Sequence, residues 1–369
     1  MDATMPRSSS HVVQRVLIYR LGSLGDHLVA MPCYRLVERA FPQAERRLLT
    51  NRPVAAKAAA AESVLHGSGV VSECMTYAAG ERGVGPLFEL AQQVRAFRPD
   101  VLVYLAGARG VRAAQRDRWF FRLAGVRRIL GLPLDEDLQQ NRFLGDREGV
   151  PWYEAEAARL ARAISELGDA WLGDDASWSL GLSAEERNAA DQWLLPLEGR
   201  PFFAMSLGTK VLSNHWTVEH WRALAEHMAA EFPQYRLMTF GAEDEAEECN
   251  AVIDSFGAER ALNLCGRSSP RVSAAMMERA SLVLAHDSGP AHLAASVSAP
   301  LLGIYGARML PGTWTPRGRR TRVLMHWVHC GGCRLDTCVV ERKHCILSIS
   351  VDEAMQAVRA QLRDGAAVR

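Results

Sequence analysis

The stretch from Ala280 to Ala295 constrains this chain more than any other, because an apolar run stops at a small polar turn and restarts at once as a helix. Val283 to Ala285 have the character of a buried parallel strand, Asp287, Ser288 and Gly289 form a tight turn, and Pro290 suits the first position of a helix. Such a turn leaves backbone amides unpaired at the carboxyl end of a strand, with the positive end of a helix dipole behind them. The pattern predicts a seat for a phosphate or another anion.

The same device stands near the other end of the chain. Arg15 to Arg20 is a short apolar strand, Leu21-Gly22-Ser23-Leu24-Gly25-Asp26-His27 is a glycine-bearing turn, and a helical pattern runs from Leu28 to Phe41. The glycines are spaced G-x-x-G rather than G-x-G-x-x-G, and no clear acidic residue ends the next strand, which argues against a nicotinamide site. Asp26 falls where a carboxylate caps a helix. It also falls where residues beyond the first strand line the crevice of an open α/β sheet, and there a carboxylate can take a proton from an attacking hydroxyl.

Between and around these turns, strands alternate with helices. The first series has strands at Arg46–Thr50, Gly69–Met75, Asp100–Leu105 and Arg127–Gly131, with helices expected over Val54–Leu65, Pro86–Phe97, Arg109–Leu123 and Val150–Leu167. Pro133 to Gly149 is polar and aperiodic, which suits a mobile loop over a cleft. Ser183 with Glu186 three residues on is a capping box that opens a helix within Leu180–Leu197. A second series follows, with strands at Phe202–Leu207, Tyr235–Phe240, Ala261–Cys265 and Leu301–Tyr305 around the central strand at 283–285. Alternation of this kind predicts two doubly wound parallel sheets. The expected division is residues 1–180, 181–350 and a final segment, 351–369, whose helix crosses back to the first half.

With 369 residues and 48% hydrophobic side chains, two cores of ordinary size are available. Lys and Arg number 43 against 42 Asp and Glu, so a net charge of +1 gives no global reason to expect nucleic acid as a partner. No apolar run approaches the ~20 residues of a membrane span. The polar opening, Met1 to Ser10, has no signal-peptide core, and a cytoplasmic protein is expected.

Three further groups of residues carry chemistry or merely fold. Ser206, Thr209 and Lys210 leave a buried strand on small residues, which suits a diphosphate or a solvated loop. Glu243, Asp244 and Glu245 either complement a helix dipole or bond ribose hydroxyls, and His292 is either packed or aimed at ligand. Of eight cysteines, Cys33, Cys74, Cys249 and Cys265 are scattered fillers, whereas Cys330, Cys333, Cys338 and Cys345 are clustered. That spacing fits four thiolates on a structural Zn or Fe, disulfides formed on handling, or free thiols in a loop.

Through R-L-G-S-L-G-D near the start and H-D-S-G-P-A-H-L-A-A late in the chain, the sequence resembles glycosyltransferase family 9, the ADP-heptose:lipopolysaccharide heptosyltransferases. The resemblance spans nearly the whole chain, the late cysteine cluster included. It implies a GT-B fold, in which an N-terminal acceptor domain and a C-terminal nucleotide-sugar domain, both Rossmann-like, face a central cleft. Carried over by position, Asp26 is the general base and Gly22, Ser23 and Gly25 meet the acceptor. Asp287, Ser288, Gly289, Pro290 and His292 surround the donor diphosphate, Ser206, Thr209 and Lys210 form the other donor loop, and Glu245 is the ribose ligand. Family members commonly place a Lys just before the x-Trp step where this chain has Asn214-His215-Trp216, so either Lys210 takes over that charge or the donor differs from ADP-heptose.

The expected activity is inverting transfer of a heptose from ADP-heptose to a hydroxyl of the lipopolysaccharide inner core, with no cofactor required. Arg109, Arg112, Arg116 and Arg118 would meet phosphates or carboxylates of the acceptor, and peripheral contact with the inner membrane is expected. A protein acceptor is the main variant. A nucleotide-sugar epimerase and a non-catalytic nucleotide-binding protein fit the same architecture.

Overall fold

The computed structural model describes residues 12–52, 60–78 and 83–366. Its first series comprises β1 (Arg15–Tyr19), α1 (Leu24–Val29), α2 (Met31–Ala40), β2 (Glu45–Asn51), α3 (Ala61–Leu65), β3 (Glu73–Tyr77), α4 (Val84–Phe97), β4 (Val101–Tyr104), α5 (Val111–Leu123) and β5 (Arg128–Leu130). A hairpin of β6 (Phe143–Arg147) and β7 (Val150–Tyr153) leads into α6 (Glu156–Ala163). The five strands pair in parallel in the order β3-β2-β1-β4-β5. Val16, Leu17 and Ile18 are fully buried, because helices cover both faces of the sheet.

The second series runs α7 (Ala184–Leu194), β8 (Phe202–Ser206), α8 (Val218–Glu231), β9 (Arg236–Thr239), α9 (Ala246–Phe256), β10 (Ala261–Asn263), α10 (Pro270–Met277), β11 (Leu282–His286), α11 (Gly289–Ser296), β12 (Leu301–Ile304) and β13 (Thr321–Leu324), and ends with α12 (His344–Leu347) and α13 (Val351–Ala366). Its six strands are parallel in the order β10-β9-β8-β11-β12-β13. The box at Ser183 opens α7: its N–H donates to Glu186 Oε2 at 2.8 Å and its Oγ accepts from Glu186 N–H at 3.2 Å.

Both sheets reverse their winding at one strand. In the first, β1 lies between β2 and β4; in the second, β8 lies between β9 and β11. A crevice opens beyond the carboxyl ends of strands at such a switch point. The turns at residues 21–27, 207–211 and 287–289 all stand there.

Three expectations are corrected. Val150 to Tyr153 is a strand rather than the start of a helix, since the Glu148-Gly149 turn, both residues at positive φ, folds β7 back on β6. The same hairpin gives Pro133–Gly149 regular structure at its end. The last helix does not cross back to the first half: Met355 and Val358 enter the second core, Arg359 pairs with Glu231 of α8, and Gln361 Nε2 donates to Leu301 O at 2.8 Å. Of the helix expected over 54–65, the part before Ala60 lies outside the described residues, as does the tail Met1–Ser10. No helix among the described residues is long and apolar enough to cross a membrane.

Candidate active site

The two glycine turns meet. A Cβ on Gly25 would lie 3.2 Å from His292 Cδ2 and 3.6 Å from Gly289 Cα, and a Cβ on Gly289 would lie 2.6 Å from Leu24 Cδ2. The amino ends of α1 and α11 therefore abut at a distance that glycine alone permits. They wall a cleft of about 570 Å3, which Ser23, Gly25 and Asp26 of the first half share with Thr209, Lys210, Glu245, Asp287, Ser288, Gly289, Pro290 and His292 of the second.

Asp26 has two tasks. Its Oδ2 accepts the Ser23 N–H at 2.8 Å, the reach-back half of a capping box, while Oδ1 lies 3.7 Å from Arg20 Nη2. Gly22 makes this fold-back fit, since a side chain there would overlap the Asp26 carboxylate. The Gly22 N–H donates to Asn51 Oδ1 at 2.7 Å, so Gly22 shapes the turn and does not line the cleft.

Arg20, which the sequence reading passed over, is 1% exposed. It donates to the Asp26 carbonyl at 3.1 Å and to the Leu105 carbonyl at 2.8 Å. Its charge is balanced by Asp26 and by Glu156, 3.6 Å away, which Arg159 in turn clasps with two bonds of 2.7 Å.

On the opposite wall Asp287 accepts from Asn214 Nδ2 at 3.3 Å. Its surface is partly open to the cleft, but the surrounding protein desolvates the carboxyl and pushes it up to about 6, against the pull of Arg308 and Asn214. This carboxylate is turned to the Asn214 loop. Lys210 is open to the cleft; partial desolvation draws its ammonium below the usual lysine range, with Asp26 acting in the opposite sense.

Glu245 also has a local task. Its Oε2 accepts the Ala242 N–H at 2.9 Å, and side chains on Gly208 or Gly241 would overlap its carboxylate. Ser206 is corrected: it is fully buried at the end of β8, its hydroxyl has no hydrogen-bond partner among the described residues, and it does not line the cleft. His292, pushed down to about 4 by burial, stands neutral with its ring edge-on to Trp314, 6.3 Å between centroids.

Trp314, Met309 and Arg308 line the same cleft and escaped the sequence reading. A basic residue shortly after the last buried strand was the available signal for Arg308. Its Nε donates to Leu335 O at 3.0 Å and its Nη2 to Asp336 Oδ1 at 2.8 Å. His286 was missed as well: Nδ1–H donates to Leu207 O at 2.7 Å, while Nε2 accepts from Trp216 N–H at 3.0 Å and Trp221 Nε1–H at 3.2 Å. Fully buried and pushed down to about 3, it is a neutral peg joining β8, β11 and the 214–217 loop.

Of the arginines expected at the acceptor, Arg109 sits among Tyr104, to which it donates at 2.9 Å, and Asp117 at 2.5 Å. Arg116 also binds Asp117, whereas Arg112 and Arg118 lie on the exposed side of α5.

The sequence pattern of glycosyltransferase family 9 (heptosyltransferase) matches residues 151–344, more than half of the chain. The chain belongs to glycosyltransferase family 9. Lipopolysaccharide heptosyltransferase 1 of Pseudomonas aeruginosa is 28% identical over 232 residues, which are 61% of this chain and 61% of that relative. The match thus spans less than two thirds of the relative's length. A family 9 glycosyltransferase from Veillonella parvula superposes with a TM-score of 0.71 at 17% identity, covering 95% of this chain and 98% of the other. ADP-heptose lipopolysaccharide heptosyltransferase II of Escherichia coli gives 0.66 at 18% identity, covering 95% and 99%. The GT-B fold that family 9 implies is the fold of this chain, with its two turn motifs on facing walls of one cleft.

Proposed function

We propose that this chain is an inverting glycosyltransferase that moves a heptose from ADP-heptose to a hydroxyl of the lipopolysaccharide inner core. The observation that carries the reading is the shared cleft, in which a carboxylate of the first half, Asp26, faces an anion seat of the second, Ser288 and Gly289. The name of the Pseudomonas relative supports heptose and lipopolysaccharide as the sugar and the acceptor class.

In this scheme Asp26 takes the proton of the acceptor hydroxyl as its oxygen attacks the anomeric carbon, and the bond from that carbon to the diphosphate oxygen breaks on the far side. One displacement inverts the centre. Charge gathers on the leaving diphosphate, where the amides after Ser288 with Lys210 and Arg308 hold it more strongly than in the ground state. Asp287 and Asn214 position that wall rather than touch the anion.

The cysteine loop belongs to the proposal only as support. Its four thiols are near enough to influence one another's ionisation, and the Lys343 N–H donates to Cys338 Sγ at 3.2 Å. Among the described residues, no group of three or more His, Cys, Asp or Glu side chains converges to hold an ion. No step of the transfer scheme runs through an ion there.

The test is Asp26→Asn. Transfer is expected to fall by about 10²–10⁴, with ADP binding retained in calorimetry; unchanged turnover overturns the assignment of the base. Intact-mass analysis of lipopolysaccharide and protein acceptors separates glycan from protein transfer, and consumption of donor without any acceptor would identify an epimerase or a hydrolase instead.

A further inference from the structure

A second cavity, of about 520 Å3, lies beside the reaction cleft. Cleft and cavity share Asp287, Met309 and Trp314, so these three side chains stand between them. Each space is of the size that holds one small ligand, about 300–1,000 Å3, and a group transfer needs room for two. The far wall of the cavity comes from the first half, through Arg147, Glu148, Val150 and Trp152 of the β6–β7 hairpin. Gly312 locks hairpin and loop together, since a Cβ there would overlap the Tyr153 carbonyl and lie 2.9 Å from Trp152 Nε1. None of the residues expected from the sequence to meet the acceptor lines this space.

The lining suits a sugar ring. Trp152 and Trp314 offer indole surface to the apolar C–H side of such a ring, and Arg147 holds the Trp152 ring from one side, its Cζ 4.2 Å from the centroid. Two hydroxyls of the lining, Tyr305 Oη and Thr321 Oγ1, are buried and have no hydrogen-bond partner among the described residues. Folded chains leave few such groups without a task. Burial, with the charge of Asp287 behind it, keeps the Tyr305 phenol protonated, so that it can donate. Arg147 and Glu148 bring opposite charges to the hairpin side, which leaves no seat for an anion and favours a neutral ring.

We propose that this cavity is an acceptor subsite, which holds the sugar residue next to the one whose hydroxyl is attacked, as a neutral ring against Trp314 and Trp152, hydrogen-bonded to Tyr305 and Thr321. Trp314 lies edge-on to His292, 6.3 Å between centroids, where the two glycine turns meet. It therefore sets the direction of the acceptor, with one residue at Asp26 and the next beyond the indole. The inference rests on the glycan acceptor of the proposed function.

The experiment uses the full chain and, as probe, the oligosaccharide of the lipopolysaccharide inner core freed of its lipid. Calorimetry in the presence of ADP reads its binding without turnover. Tyr305→Phe and Thr321→Val each keep the shape and remove one hydroxyl, and each should weaken the oligosaccharide about five-fold with ADP affinity unchanged. The thermal midpoint should hold or rise, because an unpartnered buried hydroxyl has gone. In transfer assays the acceptor KM should rise by the same factor at unchanged kcat. Subsite and transfer fail in different ways. If the variants weaken the oligosaccharide but no sugar moves from ADP-heptose, the subsite stands and the proposed transfer falls. If transfer proceeds and both variants keep the acceptor KM of the parent, the subsite alone falls. A parent chain that does not bind the oligosaccharide also overturns the proposal, as does a rise in the KM of ADP-heptose instead, which would assign the cavity to the donor. A lowered midpoint in both variants overturns it too, since the hydroxyls would then be bonded within the chain.

Discussion

The guanidinium of Arg20 stands between two carboxylates, 3.7 Å from Asp26 and 3.6 Å from Glu156, with 1% of its side chain exposed. The Glu156 N–H donates to Thr313 O at 2.9 Å, and the Tyr153 N–H donates to Pro311 O at 2.9 Å. The loop that brings Met309 and Trp314 to the cleft is therefore tied, through one buried ion network, to the carboxylate on the opposite wall. The two walls of the cleft are joined at these residues.

Glu156→Gln should be costly for that reason. It removes the charge that balances Arg20 and Arg159 in a buried place, and losing one partner of a buried pair costs about 3–5 kcal/mol. Burial pushes the Glu156 carboxyl up, but the bonds and charge of Arg159, with Arg20 behind it, overcome this and hold it below its ordinary 4.5. Its stabilising contribution is thus present above that value and lost as pH falls through the depressed one. Urea unfolding across acid pH should show a slope that Glu156→Gln makes shallower; equal slopes and midpoints would contradict the network.

The abutment of α1 and α11 predicts a coupled pair. A methyl group on Gly289 would meet the Leu24 side chain along much of its length, at 2.6 to 3.0 Å. Gly289→Ala should destabilise the chain by about 1–3 kcal/mol through overpacking and lower transfer by prising the walls apart. Leu24→Ala in the same chain should recover much of both losses. Additive effects in the double-mutant cycle would show that the helices do not touch there.

Much of this arrangement was legible. Buried strands such as Val101–Tyr104 announce themselves by unbroken apolar runs, and the capping box at Ser183 and Glu186 is visible as a spacing. Asp26 and Ser288 stood out as candidates because each follows a buried strand in a small-residue turn, and both line the cleft. What escaped notice was set by partners distant in sequence. Arg20 looks like an ordinary strand end until Glu156 is beside it, and His286 seems part of a ligand motif until Trp216 and Trp221 claim its ring. The β6–β7 hairpin was hidden because its strands are short and half exposed, and α13 was misassigned because an amphipathic pattern shows that a helix buries a face without naming the sheet that receives it.

Asp287→Asn should raise stability at neutral pH. For a carboxyl whose folded value is raised, stability is fully present below the unfolded value near 3.8 and falls as pH rises through about 6. Removing the charge should recover about 1–3 kcal/mol at pH 8, because an amide keeps the hydrogen bond to Asn214 without a buried charge. A variant less stable than the parent at pH 8 would refute this account of the residue.

The cysteine loop should matter to the donor whether or not it holds an ion. Its backbone carbonyls at Arg334 and Leu335 accept from Arg308, both at 3.0 Å, and the Asp336 carbonyl accepts the Ser213 N–H at 2.9 Å. Lys343 Nζ reaches the His215 carbonyl at 3.1 Å from the same loop. Loosening it frees both Arg308 and the segment that carries Asn214. Cys338→Ser with Cys345→Ser should therefore weaken ADP binding by about ten-fold, the range set by one charge-assisted hydrogen bond, while the first sheet keeps its hydrogen-exchange protection. Elemental analysis of the parent protein separates the two ways the loop can be held. If Zn or Fe is present in proportion to chain, the four thiols close on it and a chelator should reproduce the loss caused by the double substitution. If none is present, a chelator should change nothing and the double substitution should still weaken binding. ADP affinity untouched by the substitution would show that the loop does not brace the donor wall.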